Sequence, residues 1–454
     1  MSAIQSVQPF EVEDAVETGR MTALQWRVVA LCGLVALFDG FDTQSIGPSA
    51  SAIAADLGIP VSSFGTIFSM SQVSFLIGAL AFGPIGDRYG RRPVLIAMTL
   101  LFGVASLLTA FSNSYWLLLV SRFLGGLGLG GASPTFVSLA ASYVPRALRA
   151  RVITGMWAAV PFGGMLGSFV AALLIPETGW RPVFLIGGVL PLLVCVLLVV
   201  ALPESLDTLV ARGRGTAGQV AAIVAKLRPD LADLGSRQFV RSGQLPVGAP
   251  IRDLFTQGRA ASTLALWLAS FLGWLIIVVV AFWTPPLMQK AGMSTEAAAS
   301  ILGIENIGGV IGTCFIGFAI DRLGAFRALF WSFCFAATML LGLGICAPAF
   351  GASAVFAAVL GFFASGSAAG LIALSATLYP SHMRGTGVGW ALGIGRIGSI
   401  LGPLAVGHFL FPYWSVATIY AVLFVPALAA ACTVIFLGLL HRNLNADMNR
   451  KENS

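Results

Sequence analysis

Apolar residues run on for about 20 positions, again and again along this chain, with almost no charge among them, and that feature leaves few folds open. A helix rising about 1.5 Å per residue needs roughly 20 apolar residues to cross roughly 30 Å of hydrocarbon. Twelve such runs, numbered here as spans 1 to 12, have cores at 25–48, 63–86, 93–111, 115–140, 150–175, 182–202, 260–288, 296–320, 327–347, 352–378, 385–410 and 414–441. With 57% hydrophobic and only 10% charged residues, 454 residues cannot fold around one aqueous core without leaving most of their apolar surface in water. The expected class is an all-α polytopic membrane protein.

Basic residues gather at alternate connections: Arg88, Arg91 and Arg92; Arg146, Arg149 and Arg151; the segment 203–259; Arg322 and Arg327; Arg384; and the C-terminal tail. Only Arg181 and Lys290 lie in the other set of connections. Positive charge stays on the cytoplasmic side, so both termini and the central loop are expected there. The net charge of +7 follows from that bias and implies no nucleic-acid partner. The start of the chain is polar and acidic up to Arg20, unlike a cleavable signal peptide, so span 1 is expected to serve as the retained insertion signal. All 6 cysteines lie within spans and form no CxxC pair, and 3 scattered histidines offer no metal cluster. No cofactor or metal is expected.

The chain repeats itself. GPIGDRYGRRP after span 2 is echoed by GFAIDRLGAFR after span 8: Gly83, Asp87, Arg88 and Gly90 match Gly317, Asp321, Arg322 and Gly324 in spacing. Pro145 and Arg149 before span 5 share a spacing with Pro380 and Arg384 before span 11. The organisation read from this is a tail at 1–24, a six-helix bundle at 25–202, a charged, Gly- and Pro-rich loop at 203–258, a second bundle at 259–441, and a tail at 442–454. Such duplication is typical of secondary transporters, in which two bundles rock around a central site.

Twelve spans, a central loop and paired Gly-x-x-x-Asp-Arg-x-Gly loops resemble the major facilitator superfamily over essentially the whole chain. Arg122 followed by GGLGLGG in span 4 is similar to its Arg-plus-glycine signature. DGFD in span 1 and RGTGVGWALGIGRIGSILGP in span 11 resemble the aromatic acid:proton symporters within it. The resemblance implies two pseudo-symmetric six-helix bundles and alternating access. It also implies proton-coupled uptake of a small aromatic carboxylate, such as a benzoate or hydroxybenzoate, across the inner membrane of a bacterium, by a chain working as a monomer.

Five ionisable residues fall well inside spans: Asp39 and Asp42 in span 1, Arg122 in span 4, Glu305 in span 8 and Arg396 in span 11. Each costs several kcal/mol to hold there unless paired or facing water, so each is a candidate for function. Counting helical rise from the expected membrane edges, Asp39, Arg122, Glu305 and Arg396 lie roughly 15–21 Å from the cytoplasmic boundary, near the midplane. Asp42 follows Asp39 on the same helix face. A carboxylate can lose its charge in such a cavity, so Asp39 or Asp42 is expected to carry the coupled proton, with Arg122 deciding by its approach whether the proton is held. The competing reading is a permanent Asp–Arg pair that merely ties span 1 to span 4.

Arg396 cannot be deprotonated and offers a planar fork that matches a carboxylate, which suits an anchor for an anionic substrate. Arg122, Phe38 and Trp390 join it as candidate substrate contacts, with Phe41, Trp157, Phe271 and Trp274 available as further aromatic walls. Glu305 is open between a second proton site, a partner for Arg396 and a feature of substrate selection. In the loops, Asp87 with Arg88, Arg91 and Arg92 is expected to latch the cytoplasmic side shut, helped by Gly83 and Gly90, while the second copy, with Asp321 and Arg322, ends in Phe326 and Arg327 and should latch less firmly. Arg384 belongs with these gating residues.

A membrane enzyme would need a nucleophile-base pair or a metal cluster. A drug:proton antiporter would more usually lack two buried arginines, which repel cationic drugs. A symporter of non-aromatic organic acids, and a receptor that does not transport, share the fold.

Overall fold

The computed structural model describes residues 10–17, 21–211, 217–229, 239–240, 250–256, 258–380 and 383–452. Among the described residues, twelve helices are long and apolar enough to cross a membrane: Ala23–Leu57, Val61–Tyr89, Arg91–Ala110, Tyr115–Ala141, Arg146–Thr178, Arg181–Ala201, Ala260–Lys290, Thr295–Leu323, Ala325–Ile345, Phe350–Leu378, Arg384–Leu410 and Val416–Arg442. They correspond one to one to the twelve runs. The face where the helix from Ala23 begins and the span ending at Arg442 finishes is the terminal face, and the opposite one the far face.

Local chemistry sets where the helices begin and end. Thr22 caps span 1 with its hydroxyl on the Gln25 amide, while the Gln25 side chain accepts from the Thr22 N–H at 2.7 Å. Ser114 and Ser294 cap spans 4 and 8 in the simpler way, each accepting one backbone N–H. Gly90 and Gly324, at φ of 112° and 80°, make the abrupt turns that end spans 2 and 8 and start spans 3 and 9.

The repeat reappears in the packing. Spans 1 and 5, 2 and 4, and 3 and 6 pack together in the first half, and spans 7 and 11, 8 and 10, and 9 and 12 do so in the second. Glycine brings several of these pairs to backbone contact: a Cβ on Gly40 would overlap the Val160 carbonyl, and one on Gly308 the Ala358 carbonyl. Between the halves, span 5 packs on span 8 and span 2 on span 11, the two pairings being related by the same pseudo-twofold.

Those seams are tight toward the far face. Phe68 of span 2 meets Phe282 and Trp283 of span 7 with ring centroids 4.8 and 5.5 Å apart, and Phe411 lies 5.0 Å from Trp283. Ser69 donates to the Ile400 carbonyl at 2.6 Å, and Gly65 and Gly407 bring backbone against backbone. Toward the terminal face the helices part: side chains added at Gly385, Gly389 and Gly393 of span 11, at Gly83 of span 2 or at Gly155 of span 5 would meet nothing within 4 Å.

The terminal face of the first half carries a small cap. Helix Val12–Val16 packs on helices Leu206–Ala211 and Ala217–Leu227, and Phe10–Glu11 pairs in parallel with Phe239–Val240. Val12, Ala15 and Val16 are buried with Val220, Val224 and Leu227 in the first-half core. Gln25 donates to the Val16 carbonyl at 3.1 Å, tying this cap to span 1.

Candidate functional site

Span 1 is buried along most of its length and presents its two acids to different neighbours. Asp42 takes Arg122 of span 4 as a fork, with Nη1 to Oδ2 at 3.2 Å and Nη2 to Oδ1 at 3.3 Å. Both side chains are at most 4% exposed. Arg122 also donates to the Thr109 hydroxyl from Nε at 3.1 Å and Nη2 at 2.8 Å, and its guanidinium lies 5.2 Å from the centre of the Phe184 ring. All of these partners belong to its own half.

Asp39 is as deeply buried, at 5% exposed, yet has no ion pair among the described residues. Its donors are hydroxyls, Ser133 of span 4 at 2.9 Å and Thr43 at 3.2 Å. An ionised carboxylate has room for about four hydrogen bonds, so Asp39 is left with acceptor capacity to spare. The cation in its electrostatic reach is Arg396, from the other half.

Arg396 sits where spans 2 and 11 begin to part. Its guanidinium carbon lies 4.0 Å from the centre of the Phe75 ring and 4.6 Å from that of Trp274, so the cation is flanked by two aromatic faces. Nη1 makes a long hydrogen bond, 3.4 Å, to Oε1 of the Gln72 side chain. Among the described residues it makes no ion pair. Next to it, Asp42, Arg122, Gln72, Phe75 and Phe282 line a cavity of about 20 Å³, room for a water and too little for a six-membered ring.

Glu305 is 8% exposed and lies beside Thr284 of span 7, to which Tyr420 of span 12 donates at 3.3 Å. Among the described residues its buried Oε2 has no hydrogen-bond partner, and Glu305 forms no ion pair with Arg396. The next residue, Asn306, bridges the halves by donating to Gln44 at 2.8 Å.

The aromatic candidates divide. Trp274 stands on Arg396, whereas Trp390 stacks on Trp267 at 5.7 Å, about 9 Å nearer the terminal face by helical rise, and Phe38 packs tilted on Phe41. Phe75 and Gln72, the groups that do touch Arg396, carry no sequence signal that separates them from other span residues. Ser133, Thr43 and Thr109 escape for the same reason, since hydroxyls are common in spans and only packing selects these.

In the first loop, Asp87 pairs with Arg91 at 3.3 Å, and Arg91 also donates to the Ser138 carbonyl at 3.2 Å. Glu204, just past span 6, accepts from the backbone N–H groups of Arg91, Arg92 and Ser205 at 3.1, 3.2 and 2.9 Å. Arg88 lies over Tyr89, and Arg92 reaches the Val199 carbonyl. The contacts described for Asp87, Arg91 and Arg92 all fall within the first half. In the second copy Arg322 lies 4.2 Å from the Phe318 ring centre, and Asp321, Arg322 and Arg384 are exposed, with no ion pair among the described residues.

Comparison with known proteins matches the Major Facilitator Superfamily model at residues 32–403 and 302–452. The chain is 38% identical to a gallate transporter of Pseudomonas putida, an alignment covering 96% of this chain and 97% of that one. A 4-hydroxybenzoate transporter of Pseudomonas aeruginosa is 35% identical over 96% of this chain and 98% of its own, and a benzoate transport protein of Acinetobacter baylyi is 30% identical over 94% and 92%. Among solved structures, a D-xylose-proton symporter superposes with a TM-score of 0.72 at 17% identity, covering 90% of this chain and 97% of that one, a likeness of fold alone.

Proposed function

The chain belongs to the major facilitator superfamily, a transporter and not an enzyme, and on that premise we propose that it takes up a small aromatic carboxylate together with a proton. The observation that carries this reading is Arg396: a half-buried cation with no ion pair among the described residues, flanked by Phe75 and Trp274, at the point where the halves separate. Such a group offers a fork to a carboxylate and aromatic faces to the ring behind it. The gallate, 4-hydroxybenzoate and benzoate named for the relatives are all ligands of this shape.

The two aspartates then take different parts. Asp42 is the fixed partner of Arg122. Asp39 is the proton carrier, because the substrate carboxylate competes with it for Arg396. With substrate on Arg396, Asp39 takes the coupled proton; with the site empty, Asp39 is the counter-charge of Arg396. Units 25–202 and 259–441 rock about this centre. The terminal face, where the loop arginines gather, is the cytoplasmic one in a bacterial inner membrane, so the conformation described is the one that releases substrate inward. The first loop latches when Asp87 and Arg88 reach the second half in the opposite state.

A monoanion entering with one proton is neutral in sum. The membrane voltage, worth about 2.3 kcal/mol per charge per 100 mV, then does no work, and only the pH and substrate gradients drive uptake. The test is accumulation of labelled benzoate, 4-hydroxybenzoate and gallate in proteoliposomes with an alkaline interior. Asp39→Asn should abolish accumulation while leaving exchange of labelled for unlabelled substrate intact. Accumulation that survives in Asp39→Asn would remove Asp39 from the proton path, and failure of all three acids to enter wild-type vesicles would remove the substrate class.

A further inference from the structure

A groove at the terminal-face end of span 12 is built from residues that the transport path does not use. It is a cavity of about 290 Å³ between the turn after span 8 and the last turns of span 12, lined by Leu323, Phe326, Arg327, Ile435, Leu439 and Arg442 together with two glycines. Gly324, at φ 80°, turns the loop sharply, and Gly438 lets the Phe326 side chain come close to the helix, where a Cβ would meet it at 3.0 Å. The small residues make the notch and Arg327 and Arg442 edge it. Both arginines are exposed, and among the described residues neither has a carboxylate partner; Asp321, the nearest acid on the loop, does not line the groove.

The surroundings identify the solvent. Leu323 and Leu439 are each 54% exposed and Ile435 is 36% exposed, so the groove opens onto the apolar outer surface of the bundle. A second groove, on the neighbouring flank of span 12, is lined by Leu264, Leu268, Cys432, Thr433 and Phe436 and is almost wholly apolar. Two unpaired guanidinium groups at the interfacial end of an apolar channel fit one kind of occupant. We propose that this groove binds an anionic phospholipid, with the headgroup phosphate between Arg327 and Arg442 and an acyl chain along Leu439, Ile435 and Leu323. A soluble phosphate would satisfy the arginines and leave the apolar channel unexplained. A neutral lipid would leave the two charges uncompensated.

The test uses the full chain purified in detergent, with phosphatidylglycerol titrated in and bound lipids counted by native mass spectrometry. Wild type should retain phosphatidylglycerol in preference to phosphatidylcholine. The double variant Arg327→Gln/Arg442→Gln should lose one retained lipid and weaken its apparent affinity about tenfold or more, while Arg151→Gln/Arg252→Gln, removing two exposed arginines elsewhere, should bind as wild type. Ile435→Trp fills the channel and leaves both charges in place, so it should lose the same lipid. It also keeps the question answerable if the double variant fails to fold. Equal retention by the double variant and wild type would overturn the site. Loss in the charge variant with wild-type binding in Ile435→Trp would reduce it to diffuse attraction and overturn the groove. Displacement by soluble glycerol phosphate at equal concentration would overturn the lipid as occupant.

Discussion

In the first half of the chain the buried and loop charges find their partners within that half: Arg122 with Asp42 and Thr109, Asp39 with Ser133 and Thr43, and the loop amides of Arg91 and Arg92 with Glu204. In the second half Arg396 faces Phe75 and Gln72 of the first, and Glu305 keeps an oxygen without a hydrogen-bond partner among the described residues. Aligned on their glycines, the two loops put Ala325 and Phe326 where Arg91 and Arg92 stand. Duplication has preserved the skeleton, the turns and the helix pairs. The polar groups have diverged: the hydrogen bonds to the first half's buried charges come from its own residues, whereas Arg396 of the second turns toward the first.

The sharpest way to break that contrast is to remove one cation within a span from each half. Arg122→Met strands Asp42 in the interior and should cost about 3–5 kcal/mol of stability, read from denaturant or thermal unfolding in detergent, with much of it restored when Asp42→Leu is added. Arg396→Met breaks no direct ion pair, and Asp39, the counter-charge it leaves behind, can take up a proton, so it should cost about 1 kcal/mol or less while substrate binding disappears. Comparable destabilisation by the two would mean that Arg396 is structural after all.

The loops allow a gentler comparison. Glu204→Ala removes the acceptor of three backbone N–H groups and should cost about 2 kcal/mol in the same assay. Asp321→Ala in the second copy should stay within about 0.5 kcal/mol. Next in size is Arg396→Lys, which keeps the charge but not the fork; it should weaken substrate binding by about 1.5–3 kcal/mol in calorimetry, with no change in unfolding.

The smallest expected effect is none at all. With one proton per monoanion, substrate should evoke no sustained current from the protein on solid-supported membranes at matched pH, in wild type or in Glu305→Gln. A steady current in wild type would end the one-proton scheme. Its disappearance in Glu305→Gln would make Glu305 a second carrier.

Much of the architecture was legible because hydrocarbon is a demanding solvent: each run of apolar residues became one helix. The edges were not. Span 1 continues to Leu57 rather than stopping near 48, because the helix runs through Pro48 into a small-residue stretch until Gly58 adopts a left-handed conformation. The central stretch 203–258, read as loop, contains helices Leu206–Ala211 and Ala217–Leu227, too short to register as spans and stabilised by packing against the chain start. Part of that stretch lies outside the described residues. At the site, the five charged residues stood out because charge in a span is rare. Which aspartate meets Arg122, and that Phe75 and Trp274 enclose Arg396, depend on helix rotation and cross-span packing, which no local pattern in one sequence encodes.

The cap at the chain start sets an order in time. Val12–Val16 emerges from the ribosome with span 1, but the helix that covers it, Ala217–Leu227, follows about 200 residues later. At roughly 5–20 residues per second, the segment waits about 10–40 seconds before its partner exists. Spans 1 to 6 must enter the bilayer during that interval, with Val12, Ala15 and Val16 still uncovered. The cap therefore closes only on a finished first half, and a chaperone or membrane surface that shields those three side chains has its opportunity then and not afterwards.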